Sequence, residues 1–174
     1  GSALTAQLDV TLPTVINAIR FIDNTFNGTL ADAPVIITSE SDTLLDIVVE
    51  RNDFLDSQQE AFQLTLLDDT LPRVVFEDNR LIDSSADSDS ETGVHIAMEN
   101  NSQLLMDFAG NTIQGHGGAG LLSVAPPNPD WSEGFKLTVA DTSTASLRAI
   151  NNEISESAFE GMRMDVSGTG VINA

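Results

Sequence analysis

Five times along this chain one short phrase returns: two apolar residues spaced by one, a two-residue gap, an asparagine, and another apolar residue two positions on. It reads Ile19-x-Phe21-x-x-Asn24-x-Phe26, Ile47-x-Val49-x-x-Asn52-x-Phe54, Val74-x-Phe76-x-x-Asn79-x-Leu81, Met106-x-Phe108-x-x-Asn111-x-Ile113 and Leu147-x-Ala149-x-x-Asn152-x-Ile154. A phrase returning at solenoid spacing marks one rung, which cannot bury its apolar side alone and must stack on its neighbours. This recurrence constrains the fold more than any other feature of the chain.

After each phrase comes a polar or Gly-rich stretch and then a second strand signal that alternates with period two. These second segments are Val35-x-Ile37, Phe62-x-Leu64-x-Leu66, Val94-x-Ile96-x-Met98, Phe135-x-Leu137-x-Val139 and Met162-x-Met164-x-Val166. Small residues stand just before four of them, Ala61, Gly93, Gly134 and Gly161, where a tight turn into the strand is expected. Polar turns such as Asp68-Asp69-Thr70 and Asn100-Asn101-Ser102 close the second strands, because their side chains can bond their own backbone. Alternation persists briefly past each asparagine, as in Asn79-Arg80-Leu81-Ile82, so a short third strand is expected. Three strands per rung make a triangular all-β coil.

The pattern resembles the right-handed parallel β-helix (β-solenoid) of the pectin-lyase-like superfamily. Asn151-Asn152-Glu153-Ile154, followed by Gly161-Met162-Arg163-Met164-Asp165-Val166, is similar to that family's repeat. The resemblance covers nearly the whole chain and implies a fold of about five to six coils, without specifying an activity. It implies a stacked asparagine column, Asn24, Asn52, Asn79, Asn111 and Asn152, at the bend between two sheets. Asparagine suits such a column because it tolerates the left-handed backbone and its amide both donates and accepts. Leucine-rich repeats are the rival, since Leu44-x-x-Ile47-x-Val49-x-x-Asn52-x-Phe54 meets their consensus. Against them, the second half of every rung has strand rather than helix periodicity.

Gly1-Ser2 looks like a tag-cleavage remnant, leaving 3–174 as a single β-helix domain with a loop insertion at 116–132. Ala6-x-Leu8-x-Val10 reads as the second strand of a preceding coil, and Gly170-Val171-Ile172-Asn173 opens another. The expected parent is therefore a longer solenoid, or one whose ends are covered by further coils or another copy. A formal charge of -20 repels nucleic acid and anionic membrane surfaces, and no apolar run is long enough for membrane insertion by a helix. With no cysteine there is neither a disulfide scaffold nor a thiol nucleophile.

Chemistry must then sit on outward strand positions or in loops. Alternation puts Gln63, His95, Lys136 and Arg163 in one outward column and Thr65, Ala97, Thr138 and Asp165 in the next. The basic column either binds an acidic sugar, Arg forking its carboxylate, or merely breaks up negative repulsion on a sheet face. In the 116–132 insertion, Trp131 either stacks on a sugar ring or plugs its own loop. Gly115-His116-Gly117 matches in letters a motif of the polygalacturonase branch of the resembling superfamily, without the paired aspartates and basic motif that branch requires. Asp87, Asp89 and Glu91 lie in a loop that is either simply solvated or holds Ca²⁺, the one cofactor considered. No phosphate loop, zinc spacing or serine elbow occurs. The functional expectation is an extracellular or cell-surface module with a structural, adhesive or glycan-binding role, with a polysaccharide or cell-surface glycan as partner. The alternative is a polysaccharide lyase or glycoside hydrolase fragment acting on an acidic polysaccharide.

Overall fold

The computed structural model of the protein describes residues 4–9, 16–27, 33–40, 44–57, 60–82, 92–115, 133–155 and 161–174, and only the backbone of 4–9, 16 and 17. The chain builds successive triplets of strands. After β1 (Leu4–Asp9) come β2 (Ile16–Ile22), β3 (Thr25–Asn27) and β4 (Val35–Glu40), then β5 (Leu44–Glu50), β6 (Asp53–Leu55) and β7 (Phe62–Leu66). The next triplets are β8 (Leu71–Glu77), β9 (Arg80–Ile82), β10 (Val94–Met98), and β11 (Gln103–Ala109), β12 (Thr112–Gln114), β13 (Phe135–Val139). Last come β14 (Thr144–Ile150), β15 (Glu153–Ser155), β16 (Met162–Val166) and the opening strand β17 (Val171–Asn173).

All pairings are parallel and link equivalent strands of neighbouring triplets. Sheet A has the order β1-β4-β7-β10-β13-β16, sheet B the order β17-β14-β11-β8-β5-β2, and sheet C the order β15-β12-β9-β6-β3. The protein is thus an all-β parallel β-helix, and the described residues contain no helix, which removes the leucine-rich alternative. Five stacked phrases lie four steps apart, so the chain makes about four turns, fewer than the five to six coils expected.

Period-two alternation decides which side chains enter the prism. In β7, β10 and β13 every odd position is buried and every even one half-buried. The resulting core is continuous, and its largest members are Phe54, Phe62, Phe76, Phe108 and Phe135, all fully buried. Phe54 stacks on Phe26, and Phe62, Phe76, Phe108 and Phe135 form a run of ring contacts, with Phe76 and Phe108 at 5.6 Å and Phe108 and Phe135 at 4.7 Å between centroids. Burying each such ring stabilises the fold by about 1.5–3 kcal/mol over leaving it in water.

The asparagine column forms as expected. Each Oδ1 accepts from both the backbone N–H and the Nδ2 of the asparagine one rung before it: Asn52 to Asn79 at 3.0 and 3.0 Å, Asn79 to Asn111 at 3.0 and 3.1 Å. The second Nδ2 hydrogen goes to a strand carbonyl, Val49 for Asn79 and Phe76 for Asn111, each at 2.9 Å. Asn52, Asn79 and Asn111 are buried with every side-chain donor used.

One element of the sequence argument needs correction. The left-handed residue at this bend is the one before the ladder asparagine: Asp23, Arg51, Asp78, Gly110 and Asn151 have φ between 53° and 66°. Asparagine is selected at the ladder for its amide alone. The glycines ahead of the sheet A strands, Gly93, Gly134 and Gly161, likewise keep ordinary φ.

The three corners differ in how strictly their length is held. Two residues, one left-handed and one ladder asparagine, join each long sheet B strand to sheet C. Sheet A returns to sheet B through four residues at 67–70, 99–102, 140–143 and 167–170, and through 10–15 and 41–43 in the first two returns. The sheet C to sheet A connection varies from 56–61 to 115–134.

Candidate functional site

The outward face of sheet A carries both columns that alternation predicts. Gln63, His95, Lys136 and Arg163 are direct neighbours in register, and so are Thr65, Ala97, Thr138 and Asp165. Neighbouring strands are about 4.8 Å apart, so the three basic side chains stand in adjacent rungs. Ile36 and Thr38 extend the two columns toward the first coil.

Two acids that sequence reasoning missed frame this column. Glu60 and Glu133 each stand two residues before the first core residue of their strand, at the edge where sheet C turns into sheet A. His95 Nδ1 lies 3.6 Å from Glu60 Oε1. Arg163 Nη1 lies 3.1 Å from Glu133 Oε1, and Thr92 donates its hydroxyl to Glu133 Oε2 at 3.2 Å. Glu133 is only 1% exposed, and a carboxylate that deeply buried demands such partners. Arg163 also bonds Asp165, Nε to Oδ2, at 2.9 Å. Its guanidinium is held above its usual pKa, chiefly by the hydrogen bond to Asp165 and then by that to Glu133.

A simple offset explains the pairing. Each basic side chain leans toward the residue ahead of the strand on the preceding rung: His95 toward Glu60, Arg163 toward Glu133. For Lys136 the corresponding residue is Thr92, which brings no carboxylate. Lys136 consequently has no hydrogen bond or ion pair among the described residues. Arg163 is held by two protein carboxylates, those of Glu133 and Asp165. The signal that could have found Glu60 and Glu133 is an acid at one fixed offset before a sheet A strand, facing a base one rung on.

The remaining sequence candidates separate cleanly. Asn24, Asn52, Asn79, Asn111 and Asn152 form the ladder and lie at another corner of the prism from the sheet A face. Trp131, His116 and the acidic trio Asp87, Asp89 and Glu91 lie outside the described residues. Among the described residues no three His, Asp or Glu side chains cluster to hold a metal ion.

In chemical terms the site offers one ammonium without an ion pair among the described residues, with the Gln63 amide and the Thr65 and Thr138 hydroxyls beside it as neutral donors and acceptors. Comparison with protein-family models, with curated proteins and with solved structures gives no match for this chain.

Proposed function

We propose that the protein is a rigid β-helix module of the cell exterior that binds a glycan along the outward face of sheet A. Lys136 meets a carboxylate of an acidic sugar, and Gln63, Thr65 and Thr138 take its hydroxyls. The observation that carries the reading is Lys136 itself: in a chain of charge -20 it stands between His95 and Arg163 with no partner among the described residues. A buried or crowded cation left without an anion is a cost unless a ligand supplies one. Binding is favoured over cleavage because glycosidic hydrolysis needs two carboxyls facing across a bond, and Glu133 is occupied by Arg163 and Thr92.

Affinity electrophoresis through gels containing soluble neutral or uronate-bearing polysaccharides tests this. The expected result is retardation by a uronate polymer that weakens at least about tenfold in Lys136→Ala and fades with salt, as a single exposed ion pair should. Lack of retardation by every polymer, or equal retardation of Lys136→Ala, would overturn it. Release of oligosaccharides would instead support the lyase or hydrolase alternative.

A further inference from the structure

The outward face of sheet B differs from the rest of this acidic molecule. Its described strands present three arginines, Arg20, Arg73 and Arg148, against four carboxylates, Asp46, Glu50, Glu77 and Asp107. That is a net charge near -1 on one whole face of a chain at -20. Five of the seven large apolar side chains exposed among the described residues also project from this sheet: Leu44, Leu71, Leu105, Ile150 and Val171. A flat sheet face that is both near neutral and apolar is unusual for a surface otherwise kept soluble by repulsion.

Several of the charges on it are unpaired among the described residues. Asp46 and Arg73 are neighbours in register, yet they form no ion pair, and Arg20 likewise has no partner among the described residues. Asp107 is held by Arg148 at 3.0 Å.

We infer that sheet B is a self-association face, on which a second copy of this chain docks about a two-fold axis parallel to the strands and midway between β5 and β8. The register dictates what such an axis brings together. Rotation preserves position along the strand and exchanges β5 with β8 and β2 with β11. Leu44 then faces Leu71 of the second copy, Val48 faces Val75, and Asp46 faces Arg73, each contact occurring twice. One rung further out Arg20 faces Asp107 and Ala18 faces Leu105. The only like-charge meeting is Glu50 with Glu77 at the edge, where Glu50 is already ion-paired to Arg51. An isologous interface requires this self-complementarity. No other described face combines both signs of unpaired charge with exposed leucines.

The overlap covers four rungs. At about 4.8 Å per rung and about 3.3 Å per residue over seven-residue strands, it amounts to roughly 440 Å² of sheet per copy. That is the small, reversible class of interface, with an expected dissociation constant of about 10–1,000 µM.

Sedimentation velocity on the chain from micromolar to about millimolar loading, at about 0.15 M salt to screen long-range repulsion, tests the inference. A monomer–dimer equilibrium is expected. Arg73→Asp and Asp46→Arg should each be monomeric at all loadings, because each sets two like-charge pairs face to face. An equimolar mixture of the two should dimerise again, and so should the chain carrying both changes, because opposite charges are restored across the axis. Circular dichroism confirms that each variant keeps its β spectrum, and Leu71→Asp replaces any single variant that does not. A wild-type chain that is monomeric at the highest loading, association unchanged by either reversal, or no recovery in the mixture would each overturn the proposal.

Discussion

Asn79→Ala should be far more damaging than Asn24→Ala, although the two residues make the same phrase. The side chain of Asn79 takes part in four hydrogen bonds: it accepts from the backbone and side-chain nitrogens of Asn52 and donates to Val49 and Asn111. At about 1 kcal/mol net per bond, the loss is about 4 kcal/mol, and it includes the cost of leaving the buried Asn52 N–H without an acceptor. That exceeds the 1–3 kcal/mol appropriate to one buried amide considered alone. Asn24 ends the column: its exposed side chain donates to Ile22 and Asn52 and accepts from none of the described residues, so its removal should cost no more than about 1 kcal/mol. For a chain of this length each kcal/mol moves the melting temperature by about 2–4 °C. Asn79→Ala should therefore melt about 8–16 °C below the parent and Asn24→Ala within about 4 °C, followed by far-ultraviolet circular dichroism. Equal losses at the two positions would refute the ladder as a source of stability, and a loss below about 1 kcal/mol at Asn79 would refute it for the buried rungs.

Phe108→Ala opens the aromatic column between Phe76 and Phe135 and should cost about 3–5 kcal/mol, measured by chemical denaturation. Gly110→Ala places a methyl at φ +66° and against the Asp78 carboxylate. It should cost at least the left-handed penalty of about 1–2 kcal/mol, and Asp78→Ala in the same chain should recover only the part due to the clash. Asp23 and Asp53 have carboxyls held below their ordinary pKa by hydrogen bonds from Arg51 and Arg80. Their contribution is present above about pH 4, the unfolded value, and is lost as pH falls through the lower folded value. A melting series from pH 6 to pH 2 should lose less stability in Asp53→Asn than in the parent over that acid window.

The repeating part of the fold was legible because period-two alternation and a fixed asparagine offset are properties of neighbouring residues. Val94-x-Ile96-x-Met98 announces a strand with one buried side, and β10 has that burial. The outward columns followed as well, since register between equal strands is set by their shared core positions: His95, Lys136 and Arg163 had to align once Ile96, Leu137 and Met164 did. What the chain does not display is pairing across rungs by residues outside the strands. Glu133 and Arg163 are 30 positions apart, and nothing local to either distinguishes a buried partner from a solvated acid. The backbone at the asparagine bend was misassigned for a related reason. Arg51 has no intrinsic preference for positive φ, and it takes that conformation because its N–H must reach the Glu77 carbonyl on the next rung.

The unequal corners divide labour within each turn of the chain. At the asparagine bend, two residues long in all five turns, an added residue would shift the later partners off register and break the column of amides. At the passage from sheet C to sheet A, twenty residues can replace six with both flanking strands still in register. The widest variation in length thus lies along one seam running the height of the prism, and that seam borders the face that carries Lys136. Loops beside the sheet A face can thus change length while the core strands keep their register, and under the binding role proposed above recognition is free to change faster than stability.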